Sequence, residues 1–165
     1  VYSDQRLDRS VAGFEIPAAW TQSLNPFFIL VFTLPIAALL AGRSVHRNRL
    51  MGGGLALAGA GLFLLLPFVN AASVPFLALA SCIMFMSVGE LFIGPIGMAA
   101  TTAHAPAAYT TRFSALFFLS LAIGTSLAGS LSTLYSPDTE FVYLAAVGLV
   151  PVIVGALIAL RPSAL

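Results

Sequence analysis

FLALASCIMFMSVGELFIGPIGMAATTA, residues 76–103, holds a single formal charge, Glu90, in a run long enough to cross a hydrocarbon layer of roughly 30 Å as one helix. Its apolar residues follow one another without alternating with polar ones. A strand of a membrane barrel needs about ten residues of alternating polarity, so this run is helical. Four other runs have the same character, and the expected helices lie at about 18–42, 50–69, 75–103, 112–135 and 140–161, behind an external loop over 1–17. Across the chain 59% of residues are apolar and 8% charged, against about 25% charged in a soluble domain, and the mean hydropathy is +1.01. The fold class read from this is all-α: a polytopic membrane protein with five transmembrane helices.

The few charges orient the bundle. Arg43, His46, Arg47 and Arg49 lie between the first two spans, His104 and Arg112 between the third and fourth, and Arg161 after the fifth. Residues 70–75 are uncharged, and the 136–140 turn carries only Asp138 and Glu140. Lys and Arg are retained on the cytoplasmic side. The arginine loops and the C-terminus are therefore expected inside a cell (plasma or inner) membrane, with the N-terminal segment and the other two turns outside. Asp4, Arg6, Asp8, Arg9 and Glu15 in the opening segment fit a solvated outer loop. A start outside the membrane, without Met or a signal peptide, marks the chain as an expected C-terminal fragment.

Glu90 sits near the middle of the third span, where a charge costs roughly 2–3 kcal/mol even on the milder scales. Ser87, Glu90, Gly94, Gly97 and Thr101 recur at helical spacing and form one stripe of small or polar groups. Such a stripe faces other helices or a water-filled cavity. Pro95 has no N–H to offer Leu91, so the helix is expected to bend or loosen at Gly94 and Pro95, one turn beyond the carboxylate. Asn25-Pro26 admits two readings: an Asn cap before a Pro at the first helical position, or a helix that begins near Ala18 and carries Asn25 inside it, its amide in need of a partner. Phe113, Phe117, Ser120 and Gly124 share a face of the fourth span. Gly52, Gly53, Gly54, Gly59 and Gly61 in the second read as close helix contacts, and Trp20 and Tyr135 as interfacial anchors.

Several segments together resemble a known family. Gly13, Glu15-Ile16-Pro17, Trp20, Gln22-Ser23-Leu24-Asn25-Pro26 and the apolar helix after them resemble the approach to the eighth helix of the proton-dependent oligopeptide transporter family, within the major facilitator superfamily. Gly89-Glu90-Leu91-Phe92-Ile93-Gly94-Pro95-Ile96-Gly97 is similar to that family's tenth helix. Phe117-Phe118-Leu119-Ser120, with Gly124 and Ala128-Gly129, is similar to its eleventh. The resemblance implies the C-terminal half of a major-facilitator-type bundle, from a symporter of di- and tripeptides with protons. It also implies substrate-binding roles for Glu90, which receives the peptide's amino group, and for Asn25, Phe117 and Ser120. Phe117 stands where the family often has Trp, so the aromatic wall is kept without an indole donor. The implied partners are short peptides, protons, the lipid bilayer and the missing N-terminal half. Two alternatives are another major-facilitator carrier, such as a drug exporter, and an inactive truncated remnant.

Other chemistries find no support. The net charge of +1 offers no nucleic-acid surface, and the lone Cys82 allows no internal disulfide. His46 and His104 lack partners at metal-ligand spacing, so neither metal nor cofactor is expected. Gly124-Thr125-Ser126 lacks the following Gly and the intramembrane His of a serine protease, so no enzyme is expected. The arginine pattern makes a direct claim: a reporter fused after Arg161 should be cytoplasmic and one inserted in residues 136–140 external. The opposite pattern would overturn the orientation of all five spans.

Overall fold

The Gly52-Gly53-Gly54 run stands in the first turns of a helix, where each glycine costs about 1 kcal/mol relative to Ala. In a membrane that cost has a return, because lipid tails are as apolar as leucine and helices associate mainly where their backbones can approach. The computed structural model describes residues 7, 8, 10, 11, 14–43 and 46–161. It contains five long helices: α1 (Ala18–Leu40), α2 (Arg47–Phe63), α3 (Phe76–Ala103), α4 (Thr110–Ser132) and α5 (Glu140–Leu160). All five belong to segments long and apolar enough to span a membrane, as the composition implied.

Helix α2 is the centre of the bundle, packing most extensively on α5 and next on α3. A Cβ on Gly59 would lie 2.5 Å from the Gly148 carbonyl oxygen, and one on Gly148 would lie 3.0 Å from that of Gly59. Gly52 and Gly155 block one another in the same reciprocal way. Because 52 meets 155 and 59 meets 148, α2 and α5 run antiparallel. On the α3 side, a Cβ on Gly89 would meet the Gly54 carbonyl at 2.5 Å, and Gly61 lies against the Cys82 carbonyl. Four of the five α2 glycines are thus contact residues, and Gly53 has nothing within 4 Å.

Helices α1 and α4 pack principally on α3. Helix α4 buries no residue, and Leu30 and Leu34 of α1 are each 77% exposed. An apolar surface of this extent belongs in lipid or against more protein.

At the Val74 end, Leu7, Leu65, Val74, Leu79, Cys82 and Leu144 form a buried cluster. Two short ladders lie here: β1 (Leu7–Asp8) pairs parallel with β4 (Val74–Pro75), and β2 (Ser10–Val11) pairs antiparallel with β3 (Phe14–Glu15). The loop expected over 1–17 falls partly outside the described residues, namely 1–6, 9, 12 and 13. Its described part is tied to the bundle, with Leu7 only 8% exposed.

Two further residues belong to this end. Glu140, where the fifth helix was expected to begin, is 1% exposed as the first residue of α5, where the helix dipole favours an anion. Tyr135, read as an interfacial anchor, turns inward, its ring 5.5 Å from that of Tyr143 in an edge-on arrangement. Helix ends also shift by a few residues. The second apolar run continues beyond α2 through a 3-10 turn at Leu66–Phe68, because hydropathy locates the apolar interior and not the caps.

Substitution separates contact glycines from free ones. Gly59→Ala or Gly89→Ala should lower the thermal stability of the purified protein in detergent by the equivalent of about 1–3 kcal/mol, the usual cost of overpacking. Gly53→Ala should leave it unchanged or raise it slightly. Equal effects at Gly53 and Gly59 would overturn the assignment of the α2–α5 contact.

Candidate functional site

Pro17 caps α1, so the helix is already under way at Asn25, and Pro26 lies inside it. Of the two readings of Asn25-Pro26, the in-helix one is therefore the one adopted. Pro26 has no N–H, which leaves the Gln22 carbonyl without its helical donor. The Asn25 amide finds its partners across the α1–α3 contact. Asn25 Nδ2 donates to Glu90 Oε2 at 3.2 Å, and Ser87 Oγ donates to Asn25 Oδ1 at 2.5 Å. The same Ser87 oxygen is 2.8 Å from the Ile83 carbonyl one turn back.

The stripe along α3 divides once its neighbours are in place. Ser87 is fully buried and Glu90 is exposed, so the trio runs from the protein interior to an open face. Gly94 faces open space, with nothing within 4 Å of where its Cβ would be. Gly97 lies beneath the Phe117 ring, which a Cβ would meet at 2.8 Å, and this joins α4 to the site. Ser120 is brought no closer: it is exposed, and its hydroxyl donates to the Phe117 carbonyl of its own helix at 2.7 Å. Helix α3 runs unbroken through Gly94 and Pro95. Beside Pro95, between α1 and α3, is an apolar cavity of about 210 Å³ lined by Thr33, Ala37, Leu91 and Phe92 among others.

Asn25 and Glu90, linked above only by resemblance, are thus hydrogen-bonded neighbours. Phe117 stands about two turns along α3 from Glu90, and Ser120 on the adjacent turn of α4. Ser87 was legible as part of the polar stripe but not as a partner of Asn25. The signal was its place three residues before Glu90, on the same helix face. The described residues contain no group of three His, Cys, Asp or Glu side chains that could hold a metal ion.

A carboxylate with an amide donor on one oxygen and an open side is an acceptor for a cation or for a further hydrogen-bond donor. Comparison with known proteins gives this arrangement a context. The profile of the POT family matches residues 1–149. An uncharacterized transporter, YclF, of Bacillus subtilis is 30% identical over 97% of this chain and 34% of its own length. A di-/tripeptide transporter of Lactococcus lactis subsp. cremoris is 31% identical over 86% of the chain and 30% of its own. Among solved structures, a mutant of the peptide transporter POT in complex with alafosfalin superposes with a TM-score of 0.86 at 30% identity, over 96% of this chain and 34% of that one. The same transporter in complex with sulfate gives 0.86 at 29%, over 95% and 33%. The chain spans about a third of the length of these relatives. With the family profile matched along most of its residues and the transporter fold reproduced by its five helices, this chain belongs to the POT family.

Proposed function

We propose that this chain is the C-terminal part of a proton-coupled symporter of di- and tripeptides, with Glu90 as the acceptor for the peptide's ammonium group. The observation that carries the reading is the Asn25–Glu90 hydrogen bond at the exposed face of α3. A carboxylate midway along a membrane helix is retained where it meets a substrate or ion pathway, and the open side of Glu90 leaves room for an ammonium. The Lactococcus lactis relative, a di-/tripeptide transporter, supports the substrate class.

In this mechanism Asn25 steers one Glu90 oxygen while the other meets the ammonium. Phe117 supplies an apolar wall, and Ser120 lines the pocket one turn further along α4. Gly94 and Pro95 act as the hinge, since α3 lacks one backbone hydrogen bond there and an apolar cavity lies alongside. A second, N-terminal bundle closes the site from the open side, and alternating access comes from rocking of the two bundles around it. The groups that couple transport to protons lie mainly upstream of this chain. The arginine-rich ends face the cytoplasm, a reading that the loop charges support. The POT family match favours this reading over a drug exporter.

Glu90→Gln in the full-length transporter keeps the shape and the hydrogen bond but not the charge. It should weaken peptides with a free amino terminus by roughly 10- to 150-fold, the equivalent of a lost charge-assisted hydrogen bond of roughly 1.5–3 kcal/mol. Amino-blocked analogues should change far less. Equal losses for the two would assign Glu90 a structural or proton-handling role. No loss for either, with expression and topology intact, would remove the site.

A further inference from the structure

We propose that Ser87 is a positioning residue that turns the Asn25 amide over when Glu90 takes up a proton, so that the Ser87–Asn25–Glu90 trio registers the proton on the carboxyl group. The consequence for peptide binding rests on the function proposed above; the hydrogen-bond chemistry does not.

The argument is a count of protons. Ser87 has one hydroxyl proton and two acceptors in reach, Asn25 Oδ1 at 2.5 Å and the Ile83 carbonyl at 2.8 Å. In the arrangement seen, with Asn25 Nδ2 on Glu90, that single proton is shared between them. An ionised Glu90 only accepts, so it holds Nδ2 toward itself and forces this sharing. Rotation of the amide by half a turn about its last torsion exchanges Oδ1 and Nδ2 and leaves the heavy-atom outline unchanged, and that torsion is broad and roughly two-fold. When a proton from water at the open face binds Glu90 Oε2, the new O–H donates to Asn25 Oδ1. Asn25 Nδ2 then donates to Ser87 Oγ, and the Ser87 hydroxyl gives its proton wholly to the Ile83 carbonyl. Every acceptor now has its own donor. Loss of the proton to water reverses the turn, and no other covalent bond forms or breaks.

Ser87 supplies the driving force. A neutral carboxyl group still has an acceptor oxygen, so without the hydroxyl Nδ2 can stay on Glu90 and the amide has no reason to turn. Ser87 is fully buried, so no water takes over its part. The two arrangements differ in what they offer. The ionised one presents a carboxylate oriented by a donor, ready for an ammonium. The protonated one presents a closed chain of neutral hydrogen bonds.

The charged groups on neighbouring elements stand well apart. Helix α1 has no ionisable residue. Arg47 and Arg49 lie in the first turn of α2, below the Gly54–Gly89 contact, and Arg112 lies in the first turn of α4, beyond the Phe117–Gly97 contact. His104 caps the far end of α3. Asp8 lies on β1, beside Pro75, roughly 20 Å along the α3 axis from Glu90 at 1.5 Å per residue.

The test is magic-angle-spinning NMR of the full chain in lipid bilayers, with ¹⁵N asparagine and ¹³C glutamate and serine, signals being assigned by their loss in Asn25→Asp and Glu90→Gln. At high pH the Asn25 side-chain nitrogen should be close to the Glu90 carboxyl carbon. As pH falls that proximity should pass to Ser87 Cβ, with the same midpoint as the carboxyl carbon's own shift. In Ser87→Ala the nitrogen should remain beside Glu90 throughout. The proposal is overturned if the wild-type nitrogen never leaves Glu90, if the Glu90 carboxyl does not titrate, or if Ser87→Ala still shows the exchange. No peptide is involved, so an exchange seen alongside unselective peptide losses in Glu90→Gln would refute the amine site alone. Selective losses without the exchange would refute the trio alone.

Discussion

Direct backbone contact between α2 and its two neighbours is the constraint on which the rest of the bundle depends. In hydrocarbon no hydrophobic force draws apolar helices together, so their association rests on close packing, and side chains larger than hydrogen hold backbones apart. Gly52 and Gly59 against Gly155 and Gly148 fix the register of α5; Gly54 and Gly61 against Gly89 and Cys82 fix that of α3. The second contact also sets the rotation of α3 about its axis. With Gly89 pressed on α2, Glu90 lies about 100° further round and meets the open face, while Ser87 lies on the buried side toward α1. The polar site is aimed by a glycine one residue away that does no chemistry.

Much of this was legible because a membrane leaves few choices. Every backbone polar group has to be satisfied within its own segment, so a long apolar run is a helix and its length states that it spans. The α2 glycines were legible as contacts for the same reason, but their partners were not. A 3.6-residue period gives the direction of a side chain, not the helix that occupies that direction, and Gly53 shows that a glycine in the right stretch can face nothing. The stripe from Ser87 to Thr101 divided for this reason: Ser87 is buried against α1, Gly97 lies under Phe117, and Gly94 is open.

Asn25 shows a different limit. Capping rules and an in-helix reading accounted equally well for Asn25-Pro26, because proline suits both the first turn of a helix and, where neighbours supply compensating bonds, the interior of a membrane helix. What separates them is the helix start at Pro17 and a partner for Asn25 65 residues away, which no local rule can see. Glu140 shows the same limit: its place at the start of the fifth span was legible, and its burial to 1% exposure was not.

The helices are held together by two kinds of joint with different properties. Between α2, α3 and α5 the contact is backbone against small residue, and any sliding opens a void along the whole seam. Between α1 and α3 the contact includes the bonds of Asn25 to Ser87 and Glu90, and a hydrogen bond of this kind within a membrane averages only about 0.6 kcal/mol. A ligand that competes for a Glu90 oxygen acts on the second joint and leaves the first untouched. The missing backbone bond at Pro95 and the cavity against Thr33 and Leu91 lie about one turn along α3 from that joint. Under the function proposed above, a group that binds Glu90 acts where the bundle is most weakly joined, beside the close-packed glycine seams.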